Sequence, residues 1–146
     1  MNMVQVYIKG QEDKELNCFL RYYPVRIKNI GMDAFFDRQV VYDFKDGRNH
    51  ADVAKCVAKM LIKVVGERTA VHGTKVKKEE REKRLKEKNN IEVDANFFKN
   101  KIVCIWDDVV TTGTSFCAYT AQLERVGAHV TNGIFLGKTS YKYVQQ

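Results

Sequence analysis

A chain of 146 residues, 45% apolar and with a single proline, has the size and composition of one folded domain, which excludes a disordered or low-complexity polymer. The net charge of +7 is concentrated, because residues 75–88 hold eight Lys/Arg and four Glu. A mixed-sign run of this kind is a solvated segment rather than a nucleic-acid face, so the reading does not extend to a nucleic-acid partner. No apolar run approaches the roughly 20 residues of a membrane span, and the first residues lack the apolar core of a secretory leader. Cys18, Cys56, Cys104 and Cys117 stand apart with no CxxC, and His50, His72 and His129 show no metal-ligand spacing. The expectation is a cytoplasmic protein with reduced, buried or half-buried thiols and no zinc.

Residues 3–8 alternate as a strand, residues 10–14 read as a turn, and residues 18–25 form a second extended candidate rich in aromatics. Residues 26–48 show no clear period, so the whole of 1–48 is taken as an extended N-terminal part. A helix is predicted over 49–66, with Asn49 as its cap and Val53, Val57, Met60, Leu61 and Val64 as its apolar stripe. Gly66 is its natural stop. Residues 67–100 read as a charged mobile connection, whose run 75–88 has almost no apolar face, only Val76 and Leu85. The signals sharpen over 101–139: a strand over 101–106, a loop over 107–114, a helix over 115–126 ended by Gly127, and a strand over 129–136. Such a strand-loop-helix-strand unit should be parallel.

The chemistry concentrates where the first of these strands ends. Asp107 and Asp108 are followed by Val109, Val110, Thr111, Thr112, Gly113, Thr114 and Ser115. A helix start offers amides without intrahelical partners and a dipole that favours anions. Four hydroxyls and a glycine that lets the backbone approach suit a phosphate, while two adjacent carboxylates suit sugar hydroxyls. Helix capping explains one such residue, but not two acids and four hydroxyls around one glycine.

The stretch Val103-Cys104-Ile105-Trp106-Asp107-Asp108-Val109-Val110-Thr111-Thr112-Gly113-Thr114-Ser115 resembles the phosphoribosyl pyrophosphate (PRPP) motif of type I phosphoribosyltransferases. Within that family it is most similar to the ComF-like, amidophosphoribosyltransferase-like branch. The resemblance also takes in Gly127-Ala128 and Leu136-Gly137-Lys138-Thr139. It implies an α/β fold: a parallel sheet with flanking helices and a Rossmann-like phosphoribosyltransferase core, here reduced, in a single domain over 1–146. It implies that Asp107 and Asp108 hold the ribose hydroxyls as the catalytic pair. Val110, Thr111, Thr112, Gly113, Thr114 and Ser115 would bind the ribose 5-phosphate. Lys75, Lys77 and Lys78 would belong to a lid. Mg²⁺ would come with PRPP rather than through direct protein ligands.

The family also carries a pyrophosphate loop after an upstream strand, and no small-residue loop of that kind is recognisable here. Three expectations follow. The first is a transferase that releases pyrophosphate from PRPP. The second is a non-catalytic module that binds PRPP or a nucleotide 5′-phosphate. The third is a reduced domain completed by another chain. A small sheet with an uncovered edge favours a homo-oligomer. The acceptor is not named by any residue pattern.

Overall fold

The computed structural model describes residues 3–65 and 93–144. Gly66, His72-Gly73 and the charged run that includes Lys75, Lys77 and Lys78 lie outside them. The elements in chain order are β1 (Val4–Gln5), β2 (Glu15–Tyr22), α1 (Met32–Lys45), α2 (His50–Val65), α3 (Ala95–Phe98), β3 (Ile102–Val110), α4 (Thr114–Arg125) and β4 (His129–Thr139). The strands form one open sheet in the order β1-β2-β4-β3. β2 and β3 both run parallel to β4, whereas β1 is antiparallel to β2. The fold is therefore α/β with a mixed sheet, and the expectation of a purely parallel one is corrected. The reason is local: Gly10 takes φ +85°, and Lys14 N–H donates to the Gln11 carbonyl at 3.1 Å. A tight turn of this kind returns the chain antiparallel.

Helices cover both faces, as the parallel part of the sheet requires. On one face Val41, Val53 and Val57 pack with Phe19, Ile134 and Leu136, and Trp106 lies against them. On the other, Phe116 and Leu123 pack with Val6, Ile8, Leu16, Val110, Val130 and Phe135. α4 ends as its sequence foretells. Gly127 takes φ +91° and donates to the Glu124 carbonyl, and Ala128 N–H reaches back to Leu123. This paired arrangement satisfies two terminal carbonyls, and it sets the entry of β4 alongside β3.

Several local expectations are revised. Residues 32–45 are helical rather than extended. Ala34 and Val41 are buried on the inner side of α1, while Phe35 and Phe36 face outward. Asn49 keeps its expected place directly ahead of α2, where Val53 N–H donates to its carbonyl at 3.2 Å, but it takes φ +56° and its side-chain amide donates to Asp43 at 3.4 Å. All four cysteines are free thiols, but Cys56 is exposed on α2 rather than buried or half-buried.

The loop after β2 is held from α1. Arg38 Nε donates to the Tyr23 carbonyl at 2.6 Å, and its Nη2 donates to Pro24 and Ile27 at 3.1 and 2.8 Å. Arg38→Met keeps much of the stem but none of the donors. It is expected to lower stability by about 1.5–3 kcal/mol, the worth of bonds from a charged donor. A urea midpoint unchanged from wild type would show that water replaces the guanidinium at no cost.

Candidate functional site

β3 runs longer than the sequence suggests. Register with β4 continues through Asp107↔Phe135, Val109↔Gly137 and Val110↔Lys138, so both acids lie within the strand and the loop shrinks to Thr111–Gly113. The loop opens at the C-terminal edge of the parallel strands, where ligands of open α/β sheets bind.

The turn into α4 is made by Gly113 at φ +88°, and no side chain caps the helix. The first intrahelical bond runs from Cys117 N–H to the Gly113 carbonyl at 2.9 Å. Gly113 offers the leading amides of α4 no side-chain acceptor, which separates this helix start from an ordinary Ser/Thr cap. α3 shows the contrast: there Asp94 accepts from Asn96 and Phe97 N–H, both at 3.1 Å. The hydroxyls of the loop are ordered by one another. Thr111 Oγ1 lies 2.8 Å from Thr139 Oγ1, and Thr112 Oγ1 lies 2.9 Å from Thr114 Oγ1. Lys138 Nζ donates to the Thr111 carbonyl, which brings a cation to the rim.

Asp107, Val109, Val110, the loop Thr111–Gly113, Thr114, Ser115, Phe116 and Phe135 line a cavity of about 120 Å³. Whole small-molecule sites run to roughly 300–1,000 Å³, so this one is sized for a single compact group. Of the residues named from sequence, Asp107, Val110, Thr111, Thr112, Gly113, Thr114 and Ser115 come together here. Asp108 is not in the lining. Its Oδ1 accepts from Val109 N–H at 2.7 Å, and Asp107 Oδ1 accepts from Asp108 N–H at 2.8 Å. Lys75, Lys77 and Lys78 are outside the described residues.

Sequence reasoning took Lys138 and Thr139 into the resemblance without giving them a role, and missed Phe135 and Ile8. Lys138 carried a signal: it is the only Lys or Arg in β4. Ile8 had none, since its approach to Gly113 comes from the tertiary fold. Nearby, at the same sheet edge, the Tyr22 hydroxyl has its pKa pushed up to about 12, mainly by burial and also by its hydrogen bond with Tyr42. Tyr22 is a neutral wall of that edge at any physiological pH.

Comparison with known protein families, with curated proteins and with solved structures finds no match to this chain. No helix among the described residues is long and apolar enough to cross a membrane.

Proposed function

We propose that the chain binds the ribose 5-phosphate moiety of PRPP and, when active, transfers the phosphoribosyl group to an acceptor with release of pyrophosphate. One observation carries the reading: Asp107 and the uncapped start of α4 line the same cavity. The α4 amides and the Thr111–Ser115 hydroxyls bind the 5′-phosphate through donors already in place. Asp107 accepts from a ribose hydroxyl. Asp108 orders the strand end through Val109 N–H and completes the acidic pair that the resemblance assigns to the ribose. In the transfer, an acceptor lone pair forms the new bond to C1 as the C1–O bond to pyrophosphate breaks. That electron pair leaves with the pyrophosphate.

Mg²⁺ takes oxygen donors and keeps several waters, so the chemistry of the two carboxylates fits it. Among the described residues no three His, Cys, Asp or Glu gather as a metal cage; the ion would enter on the ligand. When bound, it would neutralise charge on the departing pyrophosphate. The size of the cavity favours a second reading, a module that holds a phosphate-bearing sugar without chemistry. Both readings need Asp107, and only the first releases pyrophosphate. In either, a second copy joined along the outer edge of β3 would extend the sheet.

The deciding experiment is calorimetric titration of PRPP with Mg²⁺ into wild type and into an Asp107→Asn/Asp108→Asn double variant. Loss of charged hydrogen bonds is expected to weaken binding by about tenfold or more. Equal affinity in the double variant would remove the carboxylates from the site. Pyrophosphate release by the wild type then separates enzyme from binding module.

A further inference from the structure

We infer that the exposed face of α1, with the loop after β2 and the segment after β4, is the interface of a two-fold symmetric dimer, covered by the same face of a second copy of this chain. The inference uses no residue of the phosphate loop or of β3, and it stands apart from the ribose-phosphate reading.

Val25, Met32, Phe35, Phe36, Tyr141 and Val144 are 47–68% exposed. Side-chain contacts gather them at one end of the fold, where β2 and β4 terminate. Arg38 on α1 holds the loop after β2 through the carbonyls of Tyr23, Pro24 and Ile27. The Arg26 guanidinium lies 4.7 Å over the Tyr141 ring, and the rings of Tyr23 and Tyr143 meet edge-on at 5.4 Å. The Tyr143 hydroxyl rests against Gly31, the residue before α1. Met32, Phe35 and Phe36 stand at i, i+3 and i+4 and so share one face of the helix, away from the buried Ala34 and Val41. Single exposed apolar residues are ordinary, but a gathered patch marks an interaction surface. Aromatic residues, Met and Arg are the types in which protein interfaces are enriched.

The area suits a second copy. A large aromatic side chain offers about 150–250 Å², so six half-exposed apolar ones present on the order of 500 Å² per copy. Two copies would bury on the order of 1,000 Å² before the polar rim is counted, and stable interfaces begin near 1,200 Å². Arg26, Lys28, Asp33 and Lys142, all exposed, supply that rim.

The charges decide the occupant. At 3.6 residues per turn, Asp33 and Asp37 fall on one flank of the apolar stripe and Arg38 on the other. Arg26 and Lys28 belong to the loop that Arg38 holds, and Lys142 follows the Tyr141 on which Arg26 stacks. Acids therefore line one side of the stripe and cations the other. A two-fold axis running along α1 exchanges the flanks, so the acids of each copy meet the cations of its partner. Asp33 and Asp37 are like charges four residues apart, which destabilises a helix. The Asp37 carboxyl is held above its ordinary pKa by burial and by Asp33, and a partner cation relieves both acids. An anionic membrane would suit the cations and the apolar residues but would set the two acids against headgroups of their own sign.

Sedimentation velocity of the full chain over a concentration series tests this. Wild type should dimerise with a dissociation constant of micromolar order. Phe36→Glu, at an exposed position, should keep the wild-type circular dichroism spectrum and raise that constant about thirtyfold or more, the effect of losing an interface hot spot. The variants Asp33→Lys/Asp37→Lys and Lys28→Glu/Lys142→Glu should each be monomeric alone and form a one-to-one dimer when mixed, since opposite signs then face each other on both flanks. A wild type that stays monomeric at its highest soluble concentration overturns the proposal, as does an undiminished Phe36→Glu dimer or a mixture of the two charge variants that stays monomeric. Capture of a monomeric wild type by phosphatidylserine vesicles would assign the face to lipid instead.

Discussion

Gly113→Ala is expected to lower stability by roughly 2–5 kcal/mol and to abolish measurable ribose 5-phosphate binding, for two reasons that can be separated. The first is conformational. Gly113 sits at φ +88°, where a Cβ crowds the following carbonyl at a cost of about 1–2 kcal/mol. The second is steric. A Cβ built there would stand 2.6 Å from Ile8 Cγ2 and 2.9 Å from Ile8 Cδ1, and relief of such overpacking costs about 1–3 kcal/mol more. Relief requires either the buried Ile8 side chain to shift or Thr111–Gly113 to move away from it, and the second of these changes the site. That would turn the leading amides of α4 off the position where a phosphate would sit. Guanidinium unfolding of wild type, Gly113→Ala, Ile8→Ala and the double variant closes a thermodynamic cycle. The steric share should appear as a coupling energy, since shortening Ile8 removes the clash but not the strain at φ. Additive effects would show that Ile8 does not constrain the loop. The strand-like N-terminal residues would then have no part in shaping the site.

The contrast between the two halves of the chain shows what a sequence can reveal. The β3-α4-β4 unit was legible because each boundary carries its own local chemistry. The apolar strand, the Thr/Gly turn, the Phe116-Thr120-Leu123 stripe and the Gly127 cap all point to one answer. α1 was illegible because its apolar residues come as the doublets Phe35-Phe36 and Val40-Val41. Both phenylalanines are exposed, so burial does not follow the apolar pattern there. The placement of Asp107 and Asp108 in a loop failed for a different reason. A carboxylate is a poor strand former in isolation, yet β4 continues to Thr139 and offers register partners as far as Val110. That extension places both acids within β3, where Asp107 lines the cavity and Asp108 does not.

Phe135→Ala is expected to be the most destabilising single change at the site, at roughly 3–5 kcal/mol. Phe135 is 1% exposed and lies at the middle of the sheet, between Cys18 on β2 and Asp107 on β3. Its ring meets that of Phe116 edge-on, with centroids 5.7 Å apart and planes at 70°. Such a pair contributes about 0.5–1.5 kcal/mol beyond its buried area. Truncation would open a void beneath α4 where Phe135 and Phe116 now line the candidate cavity. Phe135→Leu fills much of that void and should cost less than half as much. Urea unfolding of both variants checks the ranking, and a loss below about 1 kcal/mol for alanine would mean that the face does not depend on this ring. The same two proteins also separate scaffold from site. If the aromatic floor fixes the start of α4, ribose 5-phosphate affinity should fall in step with stability across wild type, leucine and alanine. If affinity holds while stability falls, the loop is positioned by the Thr111–Thr139 tie and by Ile8 against Gly113 instead. The effect of Gly113→Ala would then exceed that of Phe135→Ala in binding, though not in folding.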